Sequence, residues 1–320
     1  MTTELAAEEI AAEEIERPAE GGWEALLGRL SNLSVTKHFD AYADVDWEAP
    51  DMQIRRDDPL WKLREDDPLG ATDWYRSLPP ESRSALGLDL IASKMKLGLQ
   101  LESVLKQGLL RFAAELPNGS PEFRYCYHEV IEEAQHSLMF QEFVNRTGFD
   151  ARGLTGLDRL GSRFVIGLGR RFPELFFVFV LGGEDPIDHV QRRELRRGAP
   201  IHPLSERIMR IHVTEEARHL SFARHYLKRR VPELSRIRRT ELAIGAPLVL
   251  AAMAQMMLRP SRQIVAEYGI PKAVLDQAYT RNPAHKAATV ESLQKVRRLC
   301  EELGLLTPAN QRFWRILGLG

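Results

Sequence analysis

The chain has 320 residues, of which 44% are hydrophobic and 28% charged, so a wholly disordered polypeptide is excluded and a large core can be built. Lys and Arg total 44 against 45 Asp and Glu, which leaves no electrostatic footprint for nucleic acid. Two cysteines, Cys126 and Cys300, cannot supply a disulfide framework or a zinc motif. A reducing, cytoplasmic setting is therefore expected, and the acidic first residues do not resemble a secretory leader.

Residues 1–22 carry a tandem pentad, Ala6-Ala7-Glu8-Glu9-Ile10 followed by Ala11-Ala12-Glu13-Glu14-Ile15, with few apolar anchors before Gly21-Gly22. This segment reads as an acidic, disordered tail. Residues 23–320 read as a single domain. Between Leu33 and Pro80 the pattern is broken by prolines, and Asp57-Asp58-Pro59-Leu60 recurs as Asp66-Asp67-Pro68-Leu69. Short helices and turns are expected there, anchored by Trp47, Trp61 and Trp74.

From Glu81 onward the apolar residues favour spacings of three and four, with no sustained alternation. Helices are expected over 81–115, 121–146, 158–194, 202–230, 233–258, 260–268, 271–280 and 283–303. Ser120-Pro121-Glu122 reads as an N-cap followed by proline, and Thr147-Gly148 as a stop. Leu242 to Leu258 is uncharged, but it is short for a membrane span and contains Pro247, so a buried core helix is expected. The fold class is all-α, and long helices with short connections imply a bundle.

Two stretches share a shape, Glu132-Glu133-Ala134-Gln135-His136 and Glu215-Glu216-Ala217-Arg218-His219. In each, a Glu and a His three residues apart lie one turn apart on the same helix face, where both can reach one metal ion. With 30 Glu and 9 His, about 0.8 such pairs arise by chance. Two ordinary helix faces therefore remain the plain alternative. Further features raise the signal. Glu102 precedes Glu133 by 31 residues and Glu184 precedes Glu216 by 32, and both lie in strongly apolar helices. A lone carboxylate after Leu175 to Leu181 is expensive to bury without a compensating cation or hydrogen bonds. Glu132 and Glu215, one residue off the ligand stripe, are expected to orient a histidine on their own or a neighbouring helix. Arg218 can satisfy such a carboxylate. An oxygen-rich donor set of this kind favours iron or manganese over structural zinc.

His212 lies four residues before Glu216 and seven before His219, on the same helical stripe. With this His-x-x-x-Glu-x-x-His run, the chain resembles the p-aminobenzoate N-oxygenase family of ferritin-like non-haem di-iron oxygenases, from about Val35 to Leu258. The resemblance implies a ferritin-like four-helix bundle with additional peripheral helices. It implies seven metal ligands, Glu102, Glu133, His136, Glu184, His212, Glu216 and His219, with the last three on one ion. It further implies two iron ions, O2 as co-substrate, and oxidation of an arylamine nitrogen. An external electron donor (a reductase or ferredoxin) and a small-molecule amine are the expected partners; neither nucleic acid nor membrane is expected, and a homodimer is compatible.

Glu129 faces the same stripe, four residues before Glu133. It could be a ligand, but a supporting role or a salt bridge is the favoured reading, because the resembled family does not use that position. No pattern links His38, His128, His189, His202, His225 or His285. Met253, Met256 and Met257 read as core filler. The arginine pairs from Arg192 to Arg239 read as a solvated face or bundle salt bridges, with docking of an acidic electron donor as the alternative.

Overall fold

The computed structural model describes Ile15 and residues 21–320, and no strand occurs among them. Apart from Ile15, Gly21 and Gly22, the disordered tail expected over 1–22 lies outside the described residues. Ile15 itself is docked, with its carbonyl accepting from Ser221 and Arg29. The first described helix is α1, Gly22–Thr36.

The proline-broken stretch that follows is a strap of turns and single helical turns. Its duplicated Asp-Asp-Pro-Leu motif works as a turn device: Asp58 accepts from the Leu60 amide, and Asp67 accepts from Leu69 and Gly70. Trp47 and Trp61 are buried as expected, and their indole N–H groups donate to the Ala41 and Arg55 carbonyls. A short helix, α2 (Asp73–Ser77), leads into the bundle.

Four long helices form the centre: α3 (Pro80–Ala113), α4 (Pro121–Thr147), α6 (Pro173–Arg196) and α7 (Pro203–Arg230). Here α3 pairs chiefly with α4, and α6 with α7. The expected helix 158–194 is two helices, because α5 (Gly156–Arg171) ends before α6 begins. Phe172 adopts φ −153° and ψ 69°, outside the helical region that the following Pro173 disfavours. Ser120 occupies the N-cap of α4, but its hydroxyl pairs with Glu122 rather than with a backbone amide. Gly148 closes α4 at φ 69°, a left-handed conformation suited to glycine.

After α7 come α8 (Arg236–Met257), α9 (Arg262–Glu267), α10 (Lys272–Leu275), α11 (Pro283–Ser292), α12 (Gln294–Glu302) and α13 (Gln311–Ile316). The expected helix 283–303 thus divides at Leu293, and α13 had no counterpart in the sequence reading. The burial expected of Leu242 to Leu258 holds for one face. Leu242, Ala246, Leu250, Met253 and Met257 pack against the bundle, whereas Ile244 and Leu248 are exposed. The helical stretch Arg236–Glu267 is long and apolar enough to cross a membrane by length and composition alone. Several arginines of the basic run are paired within the fold: Arg192 with Asp188, Arg197 with Glu194, Arg230 with Glu233 and Arg238 with Glu241.

The main apolar cluster links α1, α3, α6, α7 and α8, with Phe176, Phe177 and Phe222 fully enclosed. Two glycines set how closely α5 can cross α3. A Cβ on Gly169 would lie 2.1 Å from the Gly108 carbonyl oxygen, a distance only glycine permits. Gly169→Ala is therefore expected to destabilise the fold by about 1–3 kcal/mol through overpacking. Gly167→Ala, on the same helix with open space around it, should be neutral or slightly stabilising. Chemical denaturation of the two variants checks the contrast.

Candidate metal centre

Each half of the bundle delivers one carboxylate from its first helix and a Glu-x-x-His pair from its second. Glu102 comes from α3, Glu133 and His136 from α4, Glu184 from α6, and His212, Glu216 and His219 from α7. All seven are buried. The structure brings them into one cluster. The donor atoms of Glu102, His136 and His212 lie within 4.8 Å of one another, as do those of Glu133, His136 and Glu216, and those of Glu184, His212 and Glu216. Glu216 Oε1 is the hub: it lies 3.2 Å from His219 Nδ1, 3.5 Å from His136 Nδ1 and 3.7 Å from His212 Nε2. The Nδ1 of His219 also approaches Glu133 Oε1 at 3.1 Å.

The outer face of the cluster is a reciprocal exchange between α4 and α7. His136 Nε2 on α4 bonds Glu215 on α7 at 2.9 Å, and His219 Nε2 on α7 bonds Glu132 on α4 at 2.8 Å. Each carboxylate therefore orients the histidine of the opposite helix, not the one four residues along its own. Arg218, a fully buried arginine, lies between them and reaches Glu132 at 2.8 Å and Glu215 at 3.4 Å. The Phe39 amide donates to Glu215, which ties the N-terminal strap to the same network. With Nε2 engaged on a carboxylate, Nδ1 is the atom that His136 and His219 present to the interior.

Other supporting residues had no signal in the sequence. Ser137 donates to Glu102 Oε2 at 2.9 Å, and Lys106 donates to Ser137 and to the Glu133 carbonyl. The Nδ1 of His212 lies 3.0 Å from Gln191 Oε1 on α6. These pairings depend on helix register, which spacing along one chain does not reveal.

Charge placement shows what the cluster demands. Burial, with Glu133 beside it, pushes the Glu102 carboxyl up to about 8. Burial, with the Glu216 charge, likewise raises Glu184 well above the usual carboxylate range. Burial opposes ionisation of Glu132 too, but the His219 bond and Arg218 bring it down to about 2. Burial and the His136 ring hold His212 well below its ordinary value, consistent with a neutral imidazole.

The buried oxygens Glu102 Oε1, Glu133 Oε1 and Oε2, and Glu216 Oε2, together with His136 Nδ1, have no hydrogen-bond partner. Buried acceptors without hydrogen bonds are unfavourable unless a cation lies among them, either a protonated histidine such as His219 beside Glu133 or a metal ion. Four carboxylates and three imidazoles fit hard-to-borderline divalent ions such as iron or manganese. Of the two favoured readings of Glu129, a supporting role or a salt bridge, the salt bridge does not occur among the described residues. Glu129 is fully buried, both its oxygens lack a hydrogen-bond partner, and burial lifts its carboxyl to about 8. Of the remaining histidines, His202 is buried and structural, accepting from the Leu204 amide at the start of α7 and stacking on Trp61.

The exchange predicts that Glu132→Gln and Glu215→Gln each weaken metal binding by about 10 to 100-fold while leaving the fold intact. Titration of each variant with a divalent metal, beside circular dichroism, checks this. Wild-type affinity in both would make the pair structural only.

A family model for p-aminobenzoate N-oxygenase AurF matches residues 22–304, a longer stretch than Val35 to Leu258. An uncharacterized protein of Mycobacterium tuberculosis is 40% identical over 291 residues, covering 91% of this chain and 86% of its own. A Mycobacterium bovis protein, also uncharacterized, is 39% identical over the same coverage. No solved structure gives a significant match. The helical bundle, the buried Glu and His cluster and the extent of the family match agree, and the chain belongs to the p-aminobenzoate N-oxygenase family of ferritin-like di-iron oxygenases.

Proposed function

We propose that the protein is a non-haem di-iron monooxygenase that uses O2 to oxidise the nitrogen of a small arylamine, giving the hydroxylamine and then the nitro product. The observation that carries this reading is the set of unpaired donors meeting at the bundle centre within a chain of this family. Glu102, Glu133, His136, Glu184, His212, Glu216 and His219 would hold two iron ions. When bound, iron supplies the redox chemistry with dioxygen that no side chain offers.

The chain's own part is placement and exclusion. Glu132 and Glu215 fix the ring planes of His219 and His136. Ser137 holds one oxygen of Glu102, leaving the other turned inward. Phe140, with ring centroids 5.5 Å from His212 and 6.5 Å from His136, covers the cluster with apolar surface and keeps water away. The first oxidation, R–NH2 + O2 + 2 e⁻ + 2 H⁺ → R–NHOH + H2O, consumes two electrons and two protons. An external reductase or ferredoxin is thus part of the proposal, as are residues 23–320 acting as one domain in the cytoplasm. A di-iron oxidase acting on C–H bonds would be favoured if His212 lay outside the cluster. Its Nε2 instead lies 3.9 Å from Glu102 Oε1 and 3.7 Å from Glu216 Oε1, which supports the N-oxygenase reading.

The test is to load the protein with Fe(II) anaerobically, reduce it, mix it with O2 and an arylamine, and analyse the products by mass spectrometry. Hydroxylamine or nitro product carrying oxygen from labelled O2 is expected. His212→Ala should lower that yield by about tenfold or more, the effect of losing one supporting ligand. Oxidation confined to carbon, or none at all with iron present, would overturn the reading.

A further inference from the structure

The three histidines of the cluster differ in what holds their outer nitrogen. The Nε2 atoms of His136 and His219 rest on carboxylates, Glu215 and Glu132. The outer nitrogen of His212 is Nδ1, and it rests on the neutral amide oxygen of Gln191 at 3.0 Å. An amide oxygen only accepts, so Nδ1 carries the proton, and a neutral ring then leaves its lone pair on Nε2. That Nε2 is the atom turned toward Glu102 and Glu216.

The placement of Gln191 is built into α6. It lies seven residues after Glu184, so one helical stripe carries both the buried carboxylate and the amide. The next residue fixes the register: Arg192 bonds Asp188 on its own helix at 2.6 Å and donates to the Val213 carbonyl on α7 at 2.6 Å. Consecutive residues of α6 thus engage consecutive residues of α7, Gln191 with His212 and Arg192 with Val213.

We propose that Gln191 is a positioning residue that holds His212 in the Nδ1–H form and makes it the weakest nitrogen donor of the three. The inference rests on the metal-centre reading above. A carboxylate acceptor pulls on the imidazole N–H and strengthens the opposite nitrogen as a ligand, and an amide does so less. Gln191 therefore sets His212 apart as the ligand most easily displaced from its ion.

The experiment uses full-length protein loaded with Co(II), whose visible absorption reports coordination without turnover. Wild type, Gln191→Leu, Gln191→Glu and His212→Ala are compared for stoichiometry, affinity and spectrum, with circular dichroism melts to verify folding. The proposal expects Gln191→Leu to shift toward the His212→Ala spectrum and to lose about 10-fold or more in affinity for one ion. Gln191→Glu, which restores a strong acceptor, should retain ligation and bind that ion at least as tightly as wild type. If Gln191→Leu does not fold, Gln191→Asn, which withdraws the amide by one methylene, is expected to give the same shift. A wild-type spectrum and affinity in Gln191→Leu or its substitute, while His212→Ala differs, overturns the role of Gln191 and leaves the metal centre standing. A wild-type spectrum in His212→Ala overturns it as well, by removing His212 from the ligands. Failure of the wild type to bind Co(II) overturns the metal-centre reading itself and this inference with it.

Discussion

The burial of Glu102, Glu129, Glu133, Glu184 and Glu216 at the centre of one helical bundle is the constraint on which the structure depends. Carboxylates of like charge cannot share a dry interior without compensation. The protein supplies part of that compensation itself. Arg218 and the outer nitrogens of His136 and His219 engage Glu132 and Glu215, so the outer two carboxylates are paired. Within the inner layer Glu102 Oε1, both oxygens of Glu133 and Glu216 Oε2 make no hydrogen bond, while His219 Nδ1 approaches Glu133 and Glu216. On the proposed reading, an outer layer satisfied by the protein surrounds an inner layer that a pair of cations would complete.

The exchange between α4 and α7 gives the centre a near-symmetry that the supporting residues then break. Glu102 has Ser137 and Lys106 behind it. On the other half, α6 brings Gln191 to His212, and no matching third histidine comes from α4, where Glu129 stands at the equivalent offset. One half thus carries a third imidazole and the other a buried, unpartnered carboxylate. Two positions that are alike in backbone and in their Glu-x-x-His pairs thus differ in the third side chain beside them, His212 in one half and Glu129 in the other.

Much of this was legible in the sequence, for stateable reasons. Glu102 and Glu184 announced themselves as carboxylates inside apolar helical runs, and burial there needs compensation. Glu133, His136, Glu216 and His219 stood out by the three-residue spacing, whereas the stripe alone left His212 open and the family resemblance brought it into the set. The all-α bundle followed from the period of the apolar residues. The remainder depended on which helix faces which. Glu132 and Glu215 were expected to orient histidines, but that they cross to the opposite helix is a matter of packing. Gln191, Ser137 and Lys106 carry no pattern, because their partners lie on other helices at a depth set by register. The break at Phe172 is masked in the sequence because the apolar period runs through it, although Pro173 disfavours a helical conformation at the residue before it. The exposed face of α8 was missed for a related reason: an uncharged run does not tell which of its sides meets the core.

On the proposed reading the inner oxygens and nitrogens hold two iron ions. Metal analysis of the purified chain after anaerobic loading with Fe(II), in competition with Zn(II), followed by Mössbauer spectroscopy, tests this. About two iron ions per chain are expected, held in preference to zinc and magnetically coupled on oxidation. Less than about one iron per chain, or two uncoupled ions readily displaced by zinc, would contradict it.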